Sequence, residues 1–261
     1  MASIAAVQSV HVATWIEAGT RELAAPSVKQ RLASIRHLFD WLVTGQVVPV
    51  NPAASVRGPR HVVTSGQTPV LNPAEARALL DSIDTSTHVG LRDRALIGLM
   101  VYSFARIDAA LGMTVEDVFT QNRRLWVHLR EKGGKRHATP CHHNLEEYLT
   151  AYLDGAGLRD DPKGPLFRTI GRGTGKLTRT VLPQAKADAM IRWRAAAATG
   201  IATKLGNHIF RATGITAYLK NGGALEKAAE DNRRRLRRRA TQLYGRCRDE
   251  VSPTRVERIA I

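Results

Sequence analysis

The sequence predicts a mainly α-helical protein with one small β-hairpin or sheet, divided into two domains. Three observations lead to this expectation. Apolar residues recur at helical spacing in two segments before residue 44. Residues 53–69 lose that periodicity and contain glycine and proline, as in a linker between domains. Beyond them, residues 89–104 are nearly all apolar, as in a buried helix, and residues 124–140 have a strand-like pattern.

The charge of the chain indicates the kind of partner. Among 261 residues, 39 Lys and Arg outnumber 23 Asp and Glu, and the net charge of +16 attracts polyanions over long distances. Nucleic acid is therefore the first partner to expect. The arginines are spread over several segments instead of lining one amphipathic helix face, which disfavours a membrane surface. Charge alone fits a ribosomal or architectural protein equally well.

Composition also indicates a compartment. With 43% apolar residues the chain has enough hydrophobic side chains for a core without disulfides. Its two cysteines, Cys141 and Cys247, are far apart, and no apolar leader follows Met1. The longest nearly apolar run, residues 95–105, is too short to cross a bilayer. We expect a soluble protein of the cytoplasm.

The first domain, residues 1–62, is predicted to contain two helices, over residues 7–18 and 27–43, and its linker begins near residue 53. Breakers from Gly45 onward end the second helix. Basic residues on the exposed face of this helix and in the linker are candidates for contacts with a DNA phosphate backbone, and solvated surface charge is the alternative. These candidates are Lys29, Arg36, Arg57 and Arg60.

The second domain, residues 63–261, begins with a helix that Asn72 caps and that runs to about Ser82. The buried helix over residues 89–104 follows. Arg106 comes just after the end of this helix and is therefore expected to lie next to the core. A guanidinium in that position needs an anionic partner or a water-filled cleft to offset its desolvation. Either a carboxylate of the same domain or an anionic ligand meets this requirement.

The β-hairpin is predicted from residues 124–129 and 136–140, joined by a turn over residues 131–135. Its tip carries Lys132 and Lys135. Glycines allow such a turn to approach a ligand closely, and a lysine there can reach a phosphate or a leaving oxygen. Solvated hairpin tips also carry lysines routinely, so the hairpin alone does not define a site.

Two other segments suggest ligands only weakly. Arg172 and Lys176 belong to a basic, glycine-rich loop over residues 171–176, and we count both as DNA-binding candidates. The loop lacks the Gly-Lys-Ser/Thr ending and the preceding apolar strand of a nucleotide cradle. The Cys-His-His triplet at residues 141–143 invites a metal, but three adjacent side chains do not converge easily on one ion. We expect no metal site.

Two more helices are predicted over residues 144–153 and 183–198, and another begins where Asn207 acts as its cap. His208 and Arg211 are three residues apart in that helix and therefore share one face. Two cationic or hydrogen-bonding groups placed in this way can converge on one anion.

Five side chains of the second domain supply what phosphoryl transfer without a metal requires. Two arginines can bind the non-bridging oxygens of a phosphodiester, a lysine can protonate the leaving oxygen, a histidine can take the nucleophile's proton, and a tyrosine can attack phosphorus. Clustered carboxylates, which a two-metal nuclease needs, are missing from the sequence. The five residues are Arg106, Lys132, His208, Arg211 and Tyr244.

At four places the second domain resembles the tyrosine recombinase, or phage integrase, family. YSFARIDAAL is similar to the first-arginine box, with Arg106, and REKGGKRHATP to the β-hairpin lysine box, with Lys132. NHIFRATGITAYLKNGG is similar to the HxxR box, and TQLYGR to the nucleophile box, with Tyr244. The boxes occur in the family's order and spacing from about Leu71 to the C-terminus, and the first domain resembles the family's core-binding domain.

The resemblance implies a two-domain tyrosine recombinase architecture, with a helical core-binding domain and a mixed α/β catalytic domain. It implies a site-specific recombinase or integrase that cleaves one DNA strand as a 3′-phosphotyrosine, releases a 5′-hydroxyl and rejoins strands without a cofactor. Its implied partners are double-stranded DNA with inverted-repeat sites and further copies of the chain, as a free monomer or dimer and a synaptic homotetramer. Its setting would be the cytoplasm or nucleoid, with a bacterial, phage or mobile-element origin.

The resemblance also assigns a role to each residue of the five. The nucleophile is Tyr244, the phosphate ligands are Arg106 and Arg211, the general acid is Lys132, and the general acid or base is His208.

Two features depart from the family pattern. The family has His or Trp about nine residues before the tyrosine, and counting back from Tyr244 reaches Arg235. Arg235 is the candidate for this position because an arginine can bond a phosphate oxygen, but its run, residues 233–239, lacks the apolar pattern expected before the nucleophile helix. The first domain is also shorter than a full core-binding domain.

Several alternatives follow from the same residues. A DNA-binding relative that cleaves weakly or not at all would result if the arginine run disrupts the tyrosine segment. A basic architectural DNA- or RNA-binding protein would not bring the candidate catalytic residues together. A type IB topoisomerase uses similar chemistry but fits the small helical domain and its linker less well. The tail, residues 249–261, can dock onto a neighbouring subunit or pack against its own domain.

Overall fold

The computed structural model describes residues 3–61, 68–131, 134–198, 201, 203, 205–223 and 259. Within it the chain divides into two compact units, Met1–Thr64 and Ser65–Ile261. The boundary expected at residue 62 lies outside the described residues.

The first unit is a pair of helices, α1 (Ser9–Glu22) and α2 (Ala25–Thr44), preceded by a 3-10 turn at Ile4–Ala6. The two predicted helices are thereby confirmed, and Pro26 lies in the first turn of α2, where its missing N–H is not needed. Apolar side chains at helical spacing on the facing sides of the two helices form the core. That core contains Val12, Ile16, Val28, Leu32, Ala53 and Val56.

The segment after α2 is held to the first unit by Arg36. Its Nε donates to the carbonyl of Ala53 at 3.1 Å and its Nη2 to the carbonyl of Val56 at 2.5 Å. Asn51 donates from Nδ2 to Asp40 Oδ1 at 2.7 Å in the same region. Residues 53–56, expected to be the start of a linker, therefore pack as part of this unit.

The second unit contains six helices in its described part, arranged around one, α4 (His88–Tyr102), that is mostly buried. This central helix, α4, carries Leu96, Leu99 and Met100, each with 0% of its surface exposed. The helices α3 (Pro73–Asp81), α6 (His143–Gly155) and α8 (Asn207–Lys220) pack against it. The six are α3 (Pro73–Asp81), α4 (His88–Tyr102), α5 (Ile107–Leu111), α6 (His143–Gly155), α7 (Gln184–Ala197) and α8 (Asn207–Lys220).

Two small antiparallel sheets complete the second unit, and the mainly α fold with a small sheet is confirmed. One sheet has the order β1-β2-β3 and the other pairs β4 with β5. The predicted hairpin is β2–β3, in register from Trp126 opposite Pro140 to Glu131 opposite Lys135. The strands are β1 (Val118–Gln121), β2 (Arg124–Glu131), β3 (Lys135–Pro140), β4 (Arg168–Ile170) and β5 (Leu177–Val181).

Some elements were not predicted, and one was placed incorrectly. The glycine-rich loop over residues 171–176, expected to be flexible, is the turn of the β4–β5 hairpin, with Gly173 at φ 73°. The cap assigned to Asn207 is wrong, because Gly206 has the extended backbone of the cap and Asn207 is the first helical residue. The cap at Asn72 is confirmed, since its side chain accepts from Glu75 N at 2.9 Å.

The tail contributes one described residue, Ile259, which is 1% exposed and belongs to the core of the second unit. The tail was expected either to dock onto a neighbouring subunit or to pack against its own domain, and Ile259 packs against its own domain. In the described part of the chain, every helix is too short or too polar to span a bilayer.

Candidate active site

The site is built where α8 crosses the end of α4. A methyl group on Gly214 would lie 2.0 Å from the carbonyl oxygen of Val101 and 3.1 Å from the Phe104 ring. Such a separation from a backbone oxygen is shorter than any van der Waals contact, so only glycine permits this approach. Gly214 therefore sets the distance between α8 and the chain that leaves α4.

We expect Gly214→Ala to separate α8 from α4. The added methyl group overpacks the core, so the free energy of unfolding should fall by about 1–3 kcal/mol or more. Thermal unfolding of the purified variant measures this loss. The matched control is Gly19→Ala in α1, where nothing lies within 4 Å and the better helix propensity of alanine should leave stability equal or higher. Equal unfolding temperatures for Gly214→Ala and the wild type would contradict the prediction.

The close approach brings Arg211 onto the loop that carries Arg106. Arg211 donates from Nη1 to the carbonyl oxygen of Phe104. Phe104 precedes Arg106 by two residues, which is at most about 7 Å of chain. Arg106 is half-buried at the N-cap of α5, and Arg211 is half-buried one turn into α8. The structure thus places the Arg211 guanidinium against the backbone two residues before Arg106.

His208 lies in the first turn of α8 and is exposed. It is one helical turn before Arg211, as the sequence predicted from the three-residue spacing. The positive end of the helix dipole also lies at this first turn, and a helix N-terminus is a place that suits an anion. Beside it, Asn207 Oδ1 is buried with no hydrogen-bond partner in the part of the chain that the structure describes.

A second contact holds α8 in place from the other side. Thr213, 2% exposed, accepts a hydrogen bond at its Oγ1 from the N–H of Leu71 at 3.0 Å. Since Thr213 follows Arg211 by two residues, this bond helps to fix the rotation of the helix. Sequence reasoning missed both Thr213 and Phe104, because their partners lie far away along the chain.

Three residues of the predicted site lie outside the described residues: Lys132, Arg235 and Tyr244. The elements around Lys132 are described. Strand β2 ends at Glu131, β3 begins at Lys135, and Gly134 in the turn has φ 76°. Helix α5, which begins directly after Arg106, packs against β2. The hairpin is therefore anchored beside the loop of Arg106.

The four other tyrosines of the chain all have packed rings. The Tyr102 hydroxyl accepts from Asn144 Nδ2 at 3.0 Å, and the Tyr152 hydroxyl donates to the Leu166 carbonyl at 2.8 Å. Burial raises the pKa of both phenols. Burial also raises the pKa of Tyr148 to about 12.

Tyr148 additionally lies beneath a guanidinium, since Arg94 Cζ is 4.6 Å from the centre of its ring. The ring of the buried Tyr218 meets the Phe104 ring edge-on, with 5.9 Å between their centres. A tyrosine nucleophile needs an accessible hydroxyl, which these surroundings do not favour.

The predicted DNA-binding residues fall into three groups. Arg36 is half-buried and bonded to the backbone of its own unit. The side chain of Lys135 lies outside the described part. The remaining five are exposed, two of them on the β4–β5 turn: Lys29, Arg57, Arg60, Arg172 and Lys176.

The Cys-His-His triplet has a packing role. Cys141 is buried, and burial raises the pKa of its thiol to about 12. The His142 ring stacks on Tyr102 with 4.4 Å between the centres, and its Nδ1 accepts from Asn144 N at 3.2 Å at the start of α6. Within the described ranges, no three His, Cys, Asp or Glu side chains are grouped so that they could hold a metal ion.

Solved structures with the same fold are DNA recombinases. The XerH site-specific recombinase, in a post-cleavage complex with a palindromic difH substrate, superposes with a TM-score of 0.71 and 20% identity, over 92% of this chain and 69% of that one. A lambda integrase fragment, in a dimer bound to a COC′ core site, gives a TM-score of 0.63 and 16% identity, over 88% of this chain and 80% of that one. The chain has the fold of site-specific DNA recombinases.

The family follows from the sequence profile. The profile of the phage integrase family matches residues 69–230, which is more than half of the chain. The protein belongs to the phage integrase family, as the four sequence boxes predicted.

Curated relatives are similar at a modest level. The tyrosine recombinase XerC of Escherichia coli O127:H6 (strain E2348/69 / EPEC) is 26% identical over 215 residues, which is 80% of this chain. XerC of Escherichia coli strain K12 / DH10B is also 26% identical over 215 residues. The match spans 65% of the length of each relative.

Proposed function

We propose that the protein is a site-specific DNA recombinase that cleaves and rejoins strands without a metal ion. One observation carries the proposal: in a member of the phage integrase family, the Arg211 guanidinium is bonded to the backbone two residues before Arg106. Two guanidinium groups held at one place suit the two non-bridging oxygens of a phosphodiester, whose negative charge grows in the transition state.

The proposed cleavage step uses one proton donor and one proton acceptor. The Tyr244 hydroxyl oxygen attacks phosphorus, the bond to the 5′ oxygen breaks, and a 3′-phosphotyrosine forms. Lys132 gives a proton to the leaving 5′ oxygen, and His208 takes the proton of the tyrosine. A 5′-hydroxyl from a partner strand reverses the step and rejoins the DNA, so no energy source is required.

The role of Tyr244 is supported by the surroundings of the other tyrosines. Burial raises the pKa of Tyr102, Tyr148 and Tyr152, and Tyr218 is buried against Phe104. The role proposed for Arg235, a further bond to a phosphate oxygen, rests on its spacing from Tyr244 alone.

The proposed substrate is double-stranded DNA with inverted-repeat sites. The exposed basic residues of both units would neutralise phosphates and so add a salt-dependent affinity that does not depend on base sequence. We propose a synaptic homotetramer assembled from free monomers or dimers in the cytoplasm or nucleoid. Among the solved structures of similar fold is a lambda integrase tetramer bound to a Holliday junction, with a TM-score of 0.60.

A nicked suicide substrate tests the proposal. The DNA is a duplex carrying inverted repeats from the region beside the coding sequence. A nick lies a few nucleotides to the 3′ side of the cleavage point, so that the short fragment carrying the released 5′-hydroxyl diffuses away. We expect the wild type to form a covalent protein–DNA adduct, seen as a slower band on a denaturing gel. Tyr244→Phe should form none, because it lacks the attacking oxygen, and it should bind the same DNA with unchanged affinity.

Tyr148→Phe is the matched control, since it removes a phenolic hydroxyl that burial keeps protonated. It should form the adduct at the wild-type rate. DNA binding by the wild type without any adduct would refute cleavage and favour a DNA-binding relative that has lost it, the alternative suggested by the arginine run at residues 233–239. An adduct that survives in Tyr244→Phe would assign the nucleophile to another residue.

A further inference from the structure

The backbone at Phe104 has a conformation that phenylalanine rarely adopts. Its φ is 55°, in the left-handed region that favours glycine. The other described non-glycine residues with positive φ are Gln46, Asn122 and Arg123, which lie in turns just after a helix or between two strands. Phe104 also follows a helix, directly after Ser103 at the C-cap of α4, but it is a bulky aromatic residue at a position usually filled by glycine or asparagine, and its chain leads to Arg106. Unfavourable backbone conformations of this kind persist only where the surroundings impose them.

The surroundings of the Phe104 ring supply that constraint. The ring meets Tyr218 of α8 edge-on, with 5.9 Å between the centres and 67° between the planes. Gly214 of α8 lies against the same ring, because a methyl group there would be 3.1 Å from Phe104 Cδ1. The ring is thus held by the helix that carries Arg211, and it keeps the backbone in the left-handed region.

The left-handed turn has a consequence for the two arginines. It aims the Phe104 carbonyl at the Arg211 guanidinium, which donates to it from Nη1. The same turn determines the direction in which the chain continues to Arg106, two residues later. If φ changed sign, the carbonyl would point elsewhere, and Arg211 would lose the acceptor that places it beside Arg106.

We propose that Phe104 is a positioning residue for cleavage: its ring, packed on α8, holds a left-handed turn whose carbonyl fixes the spacing of the Arg106 and Arg211 guanidinium groups for one phosphate. This inference rests on the proposed function of those arginines. It gives Phe104 no contact with the substrate, and its effect passes entirely through the two arginines.

Three variants separate the backbone from the ring. Phe104→Ala and Phe104→Gly both remove the ring, but only glycine adopts positive φ without a steric cost. Phe104→Asn has a Cβ atom and still tolerates the left-handed region better than other such residues. The adduct should therefore form roughly tenfold more slowly with alanine than with glycine, the ratio that corresponds to the cost of a left-handed residue. The rate of Phe104→Asn should lie nearer to that of Phe104→Gly.

The decisive readout compares two substrates, one with the natural phosphate and one with a neutral methylphosphonate at the cleaved position. A loss of general stability slows both reactions equally. If the arginines are no longer correctly spaced, adduct formation with the charged phosphate slows more than adduct formation with the methylphosphonate. The ratio of the phosphate rate to the methylphosphonate rate should therefore fall in Phe104→Ala and stay near the wild-type value in Phe104→Gly. Circular dichroism confirms that each variant is folded. If the alanine variant does not fold, Phe104→Leu takes its place as the variant that disfavours positive φ, and Phe104→Asn is compared with it as the variant that tolerates positive φ.

Equal ratios in the wild type and in all variants would overturn the positioning role while leaving the recombinase function intact. If the wild type forms no adduct, the proposed cleavage fails first. Inorganic phosphate then tests the positioning on its own: it should raise the unfolding temperature of the wild type and Phe104→Gly more than that of Phe104→Ala and Arg211→Ala. The same increment in all four proteins would overturn the inference.

Discussion

Replacing Arg211 by alanine is expected to slow adduct formation on a nicked substrate by about 10²- to 10³-fold, the usual loss when one preorganised donor to a developing oxyanion is removed. The guanidinium is half-buried and oriented by the Phe104 carbonyl, so its position is set before DNA arrives. Arg211→Lys keeps the charge but not the planar fork, and it should recover only part of the rate. Single-turnover cleavage with saturating protein measures the chemical step.

The fold should survive this change. Loss of the guanidinium leaves the Phe104 carbonyl without this donor, which costs about 1–3 kcal/mol. Lys220→Ala is the matched control, because it removes one positive charge from an exposed position in the last turn of the same helix. It should cleave at the wild-type rate, and both variants should show similar weakening of DNA binding at one ionic strength. If Arg211→Ala cleaves as fast as Lys220→Ala, Arg211 has no role in the chemistry.

Arg106 and Arg211 should not behave independently. If they bind one phosphate together, the first substitution removes most of the benefit, and Arg106→Ala with Arg211→Ala should be slower than either single variant by much less than the product of their effects. This expectation follows from the two-residue separation between the Phe104 carbonyl and Arg106, which makes the pair a single binding element.

Local signals in the sequence were sufficient to predict most helices and the shared helix face of two site residues. The apolar run before Arg106 predicted a buried helix, and α4 is that helix. The cap at Asn72 was predicted from neighbouring residues alone, as was the shared helix face of His208 and Arg211. Such features depend on residues a few positions apart, which is why the sequence discloses them.

Features that depend on distant partners were not predictable in the same way. Strands β1, β4 and β5 have only 4, 3 and 5 residues, and helix α5 has 5, too few to show a period. A glycine at position 214 suggests close packing in a helix, but nothing nearby identifies Val101 as its neighbour. Nothing about a phenylalanine predicts positive φ at residue 104. The geometry that joins the two arginines therefore became visible only with the tertiary structure.

Sequence reasoning also passed over a buried ion cluster near the start of α4. Asp93, 1% exposed, accepts from Arg92 Nε and Nη2 at one carboxylate oxygen, at 2.9 and 2.6 Å. Its other oxygen accepts from Arg194 Nε and Nη2 at 3.0 and 2.8 Å. Arg92 Nη1 also donates to the Arg168 carbonyl at 2.9 Å. The carboxylate therefore joins α4 to α7, and Arg92 joins the same cluster to β4.

Asp93→Ala should strongly destabilise the second unit. It leaves two guanidinium groups, 4% and 8% exposed, without their shared anion. Breaking a buried pair in this way typically costs about 3–5 kcal/mol. For a unit of this size the unfolding temperature should fall by roughly 10 °C, as followed by circular dichroism. Asp93→Asn keeps the shape of the side chain but turns an N–H group toward one of the arginines. Its unfolding temperature should therefore lie between those of the wild type and Asp93→Ala.

The exposed pair of Asp154 and Arg159 provides the control, since their side chains are 54% and 56% exposed. Asp154→Ala removes a carboxylate in the same way but should change stability by less than about 1 kcal/mol. If burial of unpaired charge is the cause, replacing the whole cluster with apolar side chains, Arg92→Met with Asp93→Leu and Arg194→Met, should recover most of the loss. A triple variant as unstable as Asp93→Ala would mean that the hydrogen bonds of the cluster, including that to the Arg168 carbonyl, hold the helices together. Charge neutralisation would then be the smaller effect.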